Sequence, residues 1–195
     1  SIMEFSSAKD QVSASLVTRP ALGESVGAGG VYTVTCVGAD GIEKWSDTFH
    51  NLVMNGGLAN MNGVYFAAST QSTTWYLGLV TGPGSGTTFS AGDTLASHGA
   101  TGSGGWTENT DYTGNRKAVT FGSATNANPS VITNSASPSS FAMSGTATIA
   151  GAFLCNVASG TSGVLFSAGD FTGGDKSVAS GDTLNVTYTF SLTAT

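Results

Sequence analysis

"LNVTYTFSLT", Leu184–Thr193, is the stretch on which the fold turns. Leu184, Val186, Tyr188, Phe190 and Leu192 alternate without a break with Asn185, Thr187, Thr189, Ser191 and Thr193. Side chains point to opposite faces with a period of two only in a strand. One face of this segment is therefore apolar, and the other is hydroxyl-rich and uncharged. A slip of one residue would move all the apolar side chains into water, so the register is set. Two readings of the polar face are open. It is the solvated outside of an ordinary sandwich strand, or it is a sheet face that contacts another subunit.

Working outward, the same period recurs. "VYTVTCV", Val31–Val37, sets Tyr32, Val34 and Cys36 against Val31, Thr33, Thr35 and Val37. It is followed by "GADG" and "IEKW", which predicts a β-hairpin with Asp40-Gly41 at the turn. "TTWYLGLV" places Trp75, Leu77 and Leu79 on one face and Tyr76 and Val80 on the other. "KAVTF", "SVITN" and "FAMSGTATIAGAFLC" supply further strands. In the last of these, Gly145, Ala147, Ala150, Gly151 and Ala152 point to the close approach of another backbone or to a bulge. Between the strands, "FHNLVMNGGLANMNGVYF" allows a short helix interrupted by Gly56-Gly57 and Gly63. The Gly- and Ser-rich stretch 81–106 reads as an exposed loop over the sheet end. Short strands with turn signals every 8–15 residues or so indicate an all-β fold, an antiparallel β-sandwich of jelly-roll-like type with at most one or two short helices.

Composition agrees. Of 195 residues 9% are charged, against roughly 25% in an average soluble domain. The surface of a helix normally uses Lys, Glu, Gln and Arg, and there is little such material here. Hydrophobic residues make up 39%, enough for a core. Residues 1–29 lack any period and end in Gly27–Gly30. They read as an extended N-terminal arm with a glycine hinge, and residues 30–195 as the sandwich domain.

The net charge is −6 with six Lys plus Arg, and the only adjacent basic pair is Arg116-Lys117. Phosphate recognition needs clustered cations, so neither nucleic acid nor an anionic membrane is expected as a partner. No window is apolar enough to span a bilayer. The start, "SIMEFSSAKDQ", does not have the form of a signal peptide. A soluble product made in the cytoplasm is expected. Cys36 and Cys155 lack metal-ligand spacing and read as small core residues.

One phrase is used repeatedly: "FSAGDTL" at Phe89–Leu95 and "FSAGDFTGGDKSVASGDTL" at Phe166–Leu184. Calcium-binding β-roll repeats need regular nine-residue spacing, and Asp93, Asp170, Asp175 and Asp182 are irregularly placed. Turns leading into strands are the expected use; a shared cation site at Asp170, Asp175 and Asp182 is the alternative. Of chemistry there is little. His98 with Asp93 and Glu108 could be assembled into a triad with one of many serines, but no Gly-x-Ser-x-Gly elbow exists. Asp111 and Glu108 are a glycosidase pair by proximity alone. "GPGSGTTF", Gly82–Phe89, lacks the Lys of a phosphate loop. Among Trp45, Trp75 and Trp106, Trp75 is expected in the core, and Trp106 is either a loop anchor or a surface platform for sugars. No enzymatic activity, catalytic residue, metal or cofactor is expected.

The ordered series "EKW…FHNLVMN", "TTWYLGLV", "SAGDTLASH", "GWTE…Y…R", "TNSASPSSF", "IAGAFL" and "SGDTLNVTYTF", from Val31 to Phe190, resembles a family of small tailed-bacteriophage virion proteins. The resemblance carries no catalytic residue onto any position. It implies a virion structural protein, first a capsid decoration or cement protein: a β-sandwich or jelly roll that oligomerises on the capsid surface. Its partners would be the major capsid protein and further copies of itself, as a dimer or trimer. The alternative it implies is a head-fibre, tail-fibre or tail-associated module contacting host glycans or a tail partner.

Overall fold

The computed structural model describes residues 25–82, 88–97 and 106–195. Of these residues 46% are strand and 8% helix. Two antiparallel sheets enclose the main core, and the all-β sandwich expected from the strand periods is what forms.

The five-stranded sheet is built on β1 (Val26–Val37) and β12 (Thr183–Ala194), which pair along their whole length from Val26↔Ala194 to Val37↔Thr183. β2 (Glu43–His50) closes one edge through the predicted hairpin, where Gly41 has φ 80° and the Ile42 N–H is held by Asp40 Oδ1 at 3.0 Å. On the far side of β12 two short strands lie end to end. β7 (Ser130–Thr133) pairs with Thr189–Leu192 and β8 (Ser139–Ala142) with Thr183–Val186. Between them one side chain completes the ladder. Asn134, fully buried, accepts from the Tyr188 N–H at 2.7 Å and donates to the Val186 carbonyl at 3.2 Å.

The seven-stranded sheet has the order β3 (Leu52–Val53), β10 (Leu165–Asp170), β9 (Ala147–Cys155), β4 (Tyr76–Thr81), β5 (Thr107–Asn109). β11 (Lys176–Val178) continues the β10 side of β9, and β6 (Lys117–Ala118) pairs with β4. The close approach inferred from the small residues of β9 is present. A Cβ on Gly151 would lie 1.9 Å from the Gly169 carbonyl oxygen. Gly78 of β4 stands opposite Phe153 of β9, whose ring lies over it, and a Cβ there would come within 2.2 Å of that ring.

The final strand alternates as expected. Leu184, Val186, Tyr188 and Phe190 are buried, Leu192 packs partly against them, and the Thr/Ser side is half-buried. The helix α1 runs unbroken from Asn55 to Phe66. Its glycines are what let it dock, because a Cβ on Gly57 would stand 2.6 Å from the Phe166 carbonyl of β10.

Two expectations are corrected. Gly27–Gly30 are no hinge: they are strand, paired with Phe190–Thr193. Gly30 is glycine for packing, since a Cβ there would meet the Tyr188 hydroxyl at 2.4 Å. The boundary drawn between residues 29 and 30 thus falls inside β1, and the earlier part of the arm lies outside the described residues. The stretch 81–106 is not simply exposed either. Its described residues cover the outer face of the seven-stranded sheet, burying Leu95 completely and Trp106 to 3% exposure in a second core with Met54, Val80, Ala150 and Phe153.

Candidate functional site

The recurrent Gly-Asp phrase resolves into a turn used twice. At Ser90–Asp93 the carboxylate of Asp93 accepts the Ser90 N–H at 2.9 Å, and the Asp93 N–H donates to the Ser90 carbonyl at 2.9 Å. At Ala179–Asp182 the same two bonds recur, at 2.8 and 3.1 Å. Both carboxylates are buried, and each also takes a side chain from elsewhere in the chain. Asp93 accepts the Trp106 indole N–H at 3.2 Å, and Asp182 accepts Lys44 Nζ at 2.8 Å. Lys44 first, then the Ala179 N–H, hold the Asp182 carboxyl below its ordinary range. The phrase is therefore a carboxylate-locked turn that pins a distant side chain.

The third copy behaves differently. Ser167–Asp170 is strand, part of β10, and so not the turn that was expected. Its Ser167 faces inward instead. The Tyr32 hydroxyl lies 2.8 Å from Ser167 Oγ, Ser167 Oγ donates to the Tyr188 hydroxyl at 3.3 Å, and Asn51 Nδ2 donates to the same hydroxyl at 2.9 Å. Burial pushes both tyrosine pKa values up, so these phenols stay protonated. This polar chain joins the two sheets at the centre of the sandwich. No local pattern signals it, because Tyr32 and Tyr188 read simply as apolar positions of alternating strands.

The following turn, Phe171–Gly174, is held from another strand. Asp47 of β2 accepts the Thr172 and Gly173 N–H groups at 3.1 and 2.9 Å and stands 3.7 Å from Lys176. Asp170 is raised, by burial first and then by Asp175. Asp182 is engaged with Lys44, so the three carboxylates considered for a cation do not act as one set. Among the described residues no group of three or more His, Cys, Asp or Glu could hold a metal ion.

The residues considered for catalysis are placed as follows. Glu108 forms a two-pronged pair with Arg116, at 2.8 and 2.7 Å, in which both side chains are almost fully buried. Arg116 also donates to the Val157 and Gly160 carbonyls at 3.1 and 2.9 Å and lies 5.3 Å over the Phe153 ring. It is a clamp that ties β5 to the loop after β9. Asp111 accepts from Asn109 Nδ2 at 2.8 Å. His98 lies outside the described residues. Trp106 is an anchor in the second core, tilted by about 50° against Phe89 and Phe153 at 5.5 Å from each. Trp75 is partly buried edge-on to Phe166. Cys36 and Cys155 are free and buried, and burial followed by Asp182 pushes the Cys36 thiol up to about 11.

The outer face of the five-stranded sheet is half-buried to exposed. Its hydroxyls pair across strands: Thr33 with Thr48 at 3.0 Å, Thr35 with Ser46 at 3.1 Å, and Thr133 with Thr189 at 2.9 Å. The side chains that form this middle region are short and uncharged. Compared with known proteins, the chain matches no family model, no curated protein and no solved structure.

Proposed function

We propose that this chain is a structural protein of a tailed-bacteriophage virion, a decoration or cement protein that binds the outer capsid shell and stabilises it. Its partners are the major capsid protein and further copies of itself. The observation that carries the reading is the hydroxyl face of the five-stranded sheet.

Such a face suits repeated docking for two reasons. Thr and Ser lose little rotamer freedom on being covered, unlike Lys or Glu. Their hydroxyls already pair with one another, so a partner that covers them leaves few polar groups unmatched. Each contact is weak, and repetition over a symmetric shell makes the sum strong. Cross-links by Asp182–Lys44, Arg116–Glu108 and the tyrosine chain favour a rigid module.

The test is an electron cryomicroscopy map of the particle. Density for this sandwich at every equivalent position of the shell, with the β1–β12 face against capsid or a second copy, is expected. Density confined to the tail or to a fibre would overturn the reading.

A further inference from the structure

We infer that the free edge of β1 at Val26–Gly29 is where a second copy of this chain adds its own β1, antiparallel and centred on Gly27. β1 is bordered by β12 along its whole length, but by β2 only from Val31 onward. The chain leaves the line of β2 after His50. The Asn51 N–H makes a last bond to the Gly30 carbonyl at 3.0 Å, and Leu52–Val53 then pairs with β10 in the other sheet. Among the described residues no strand lies beside Val26–Gly29 on that side, and all four are exposed, Val26 to 72%.

The direction of the backbone groups is fixed. Ser25 and Thr195 exchange both N–H···O bonds, at 2.8 Å each. Such pairs alternate along an antiparallel ladder, so Gly27 and Gly29 also face β12. Val26 and Ala28 therefore turn their N–H and carbonyl groups to the free edge, as Gly30 does toward Asn51. Protein sheets guard their edges with charge, Pro, a bulge or a cover. The β2 edge has a cover, since Thr172 Oγ1 donates to the Thr48 carbonyl at 3.2 Å. Ser25–Gly30 holds no charge and no Pro, and Val26–Gly30 pairs with β12 without a register shift. Nor does packing within the chain account for its outer glycines. A Cβ on Gly29 would meet nothing within 4 Å, and one on Gly27 only the Thr193 carbonyl, at 3.9 Å.

This edge is its own complement. With a two-fold axis at Gly27, Val26 of each copy lies opposite Ala28 of the other. Every donor of Val26 and Ala28 then meets an acceptor, and the two Gly27 residues face each other at a close, non-hydrogen-bonded position. No like charges meet at the join. A foreign peptide is a poorer occupant, because strand addition takes its specificity from pockets for alternate side chains, and Gly27 and Gly29 form none. The two-fold axis of an antiparallel pair is perpendicular to the sheet. The two five-stranded sheets thus become one, with both hydroxyl faces on the same side. So short an edge covers far less than the roughly 1,200 Å² of a stable complex, and the dimer is accordingly weak. The inference goes beyond the capsid reading, because it uses the strand edge and not the sheet face. Its experiment, on the isolated chain, leaves that reading to stand or fall separately.

The experiment is sedimentation equilibrium of the full chain at concentrations up to about 1 mM, together with disulfide trapping. A dimer with a Kd between about 10 μM and 1 mM is expected. Ala28→Pro removes a donor from the free edge and no bond to β12. It should keep the wild-type melting temperature and weaken the dimer by about tenfold or more. Gly27→Cys should form an intermolecular disulfide in a glutathione buffer, because Cα atoms opposed at a non-hydrogen-bonded pair stand about 4.5 Å apart. Gly29→Cys should not, since its two copies would lie about 13 Å apart along the strands. Cys36 and Cys155 are buried and do not compete. The inference is overturned if the chain stays monomeric throughout, if Ala28→Pro self-associates like wild type, or if Gly29→Cys cross-links as readily as Gly27→Cys. Should Ala28→Pro melt early, the two cysteine variants decide by themselves.

Discussion

The two sheets of this sandwich treat their outer faces in opposite ways. Among the described residues the outer face of the five-stranded sheet is half-buried to exposed, and its strands alternate: β12 buries every second residue from Leu184 to Phe190. The seven-stranded sheet is covered on its outer face by residues from 88–97, by Trp106 and by Met54. Its central strands are consequently buried on both sides: β4 from Leu77 to Val80 and β9 at every position from Ile149 to Cys155. The difference is one of cost. A sheet face that meets water needs side chains that water tolerates, whereas a covered face needs small residues for close approach and a few large ones to fill the gap. Gly78 beneath Phe153, and Gly151 against Gly169, are that second requirement.

The largest expected effect breaks the alternation itself. Val186→Asp would put a carboxylate among Val34, Phe141 and the other residues of the main core without a partner. It should cost several kcal/mol, of the order seen for buried unpaired charges, and abolish the cooperative thermal transition. Retention of a wild-type melting curve would mean that the register of β12 is wrong. Next comes the covered face. Trp106→Ala removes a buried ring from between Phe89 and Phe153 and takes a partner from Asp93, so a loss of about 3–5 kcal/mol is expected by denaturant unfolding. A loss below about 1 kcal/mol would place the 88–97 segment off the sheet.

Asn134→Ala sharpens the comparison at the edge of the five-stranded sheet. It leaves the Tyr188 N–H and the Val186 carbonyl without their partners and should cost about 1–3 kcal/mol. Hydrogen exchange should quicken at the Tyr188 amide while amides of the seven-stranded sheet stay protected. Unchanged exchange at Tyr188 would remove Asn134 from the ladder.

A smaller effect concerns pH. The folded Asp182 is held below the ordinary carboxylate pKa, so it favours folding while charged. That contribution is fully present above the unfolded value, about 3.9, and is lost as pH falls through the lower folded value. Asp170, raised by burial and by Asp175, runs in the opposite sense. Asp182→Asn should flatten the acid limb of a stability–pH profile, whereas Asp170→Asn should steepen it. Identical profiles for wild type and Asp182→Asn would show that the Lys44 pair contributes nothing.

What could be read from the residues follows the same division. The five-stranded sheet was legible because exposure on one side imposes a period of two, as in "LNVTYTFSLT" and "VYTVTCV". The covered sheet was legible as strands, but its cover was not. "FSAGDTLAS" has a loop's composition; among the described residues Leu95 and the distant Trp106 are buried in the second core, with Phe89 packed against it. The Asp93 and Asp182 turns were expected from Gly-Asp, yet the identical words at Ser167–Asp170 form a strand. There the partner strand β9 supplies the backbone bonds that a turn would otherwise make for itself. Asn134 was hidden because "TNSASPSS" has the composition of a turn. The pairing that makes it part of a sheet is with Tyr188, 54 residues further along the chain. For the candidate surface, the hydroxyl face was visible in the final strand.

The central claim is that the β1–β12 outer face is solvated in the isolated chain and covered in the assembly. Thr189→Asp tests it most directly, because Thr189 sits mid-face with its hydroxyl 2.9 Å from that of Thr133. The measurement is the melting temperature of the purified variant alongside its occupancy on particles stripped of the wild-type protein. The account predicts a folded variant, destabilised by about 1 kcal/mol or less, that no longer decorates particles. A folded variant that decorates at full occupancy would contradict it.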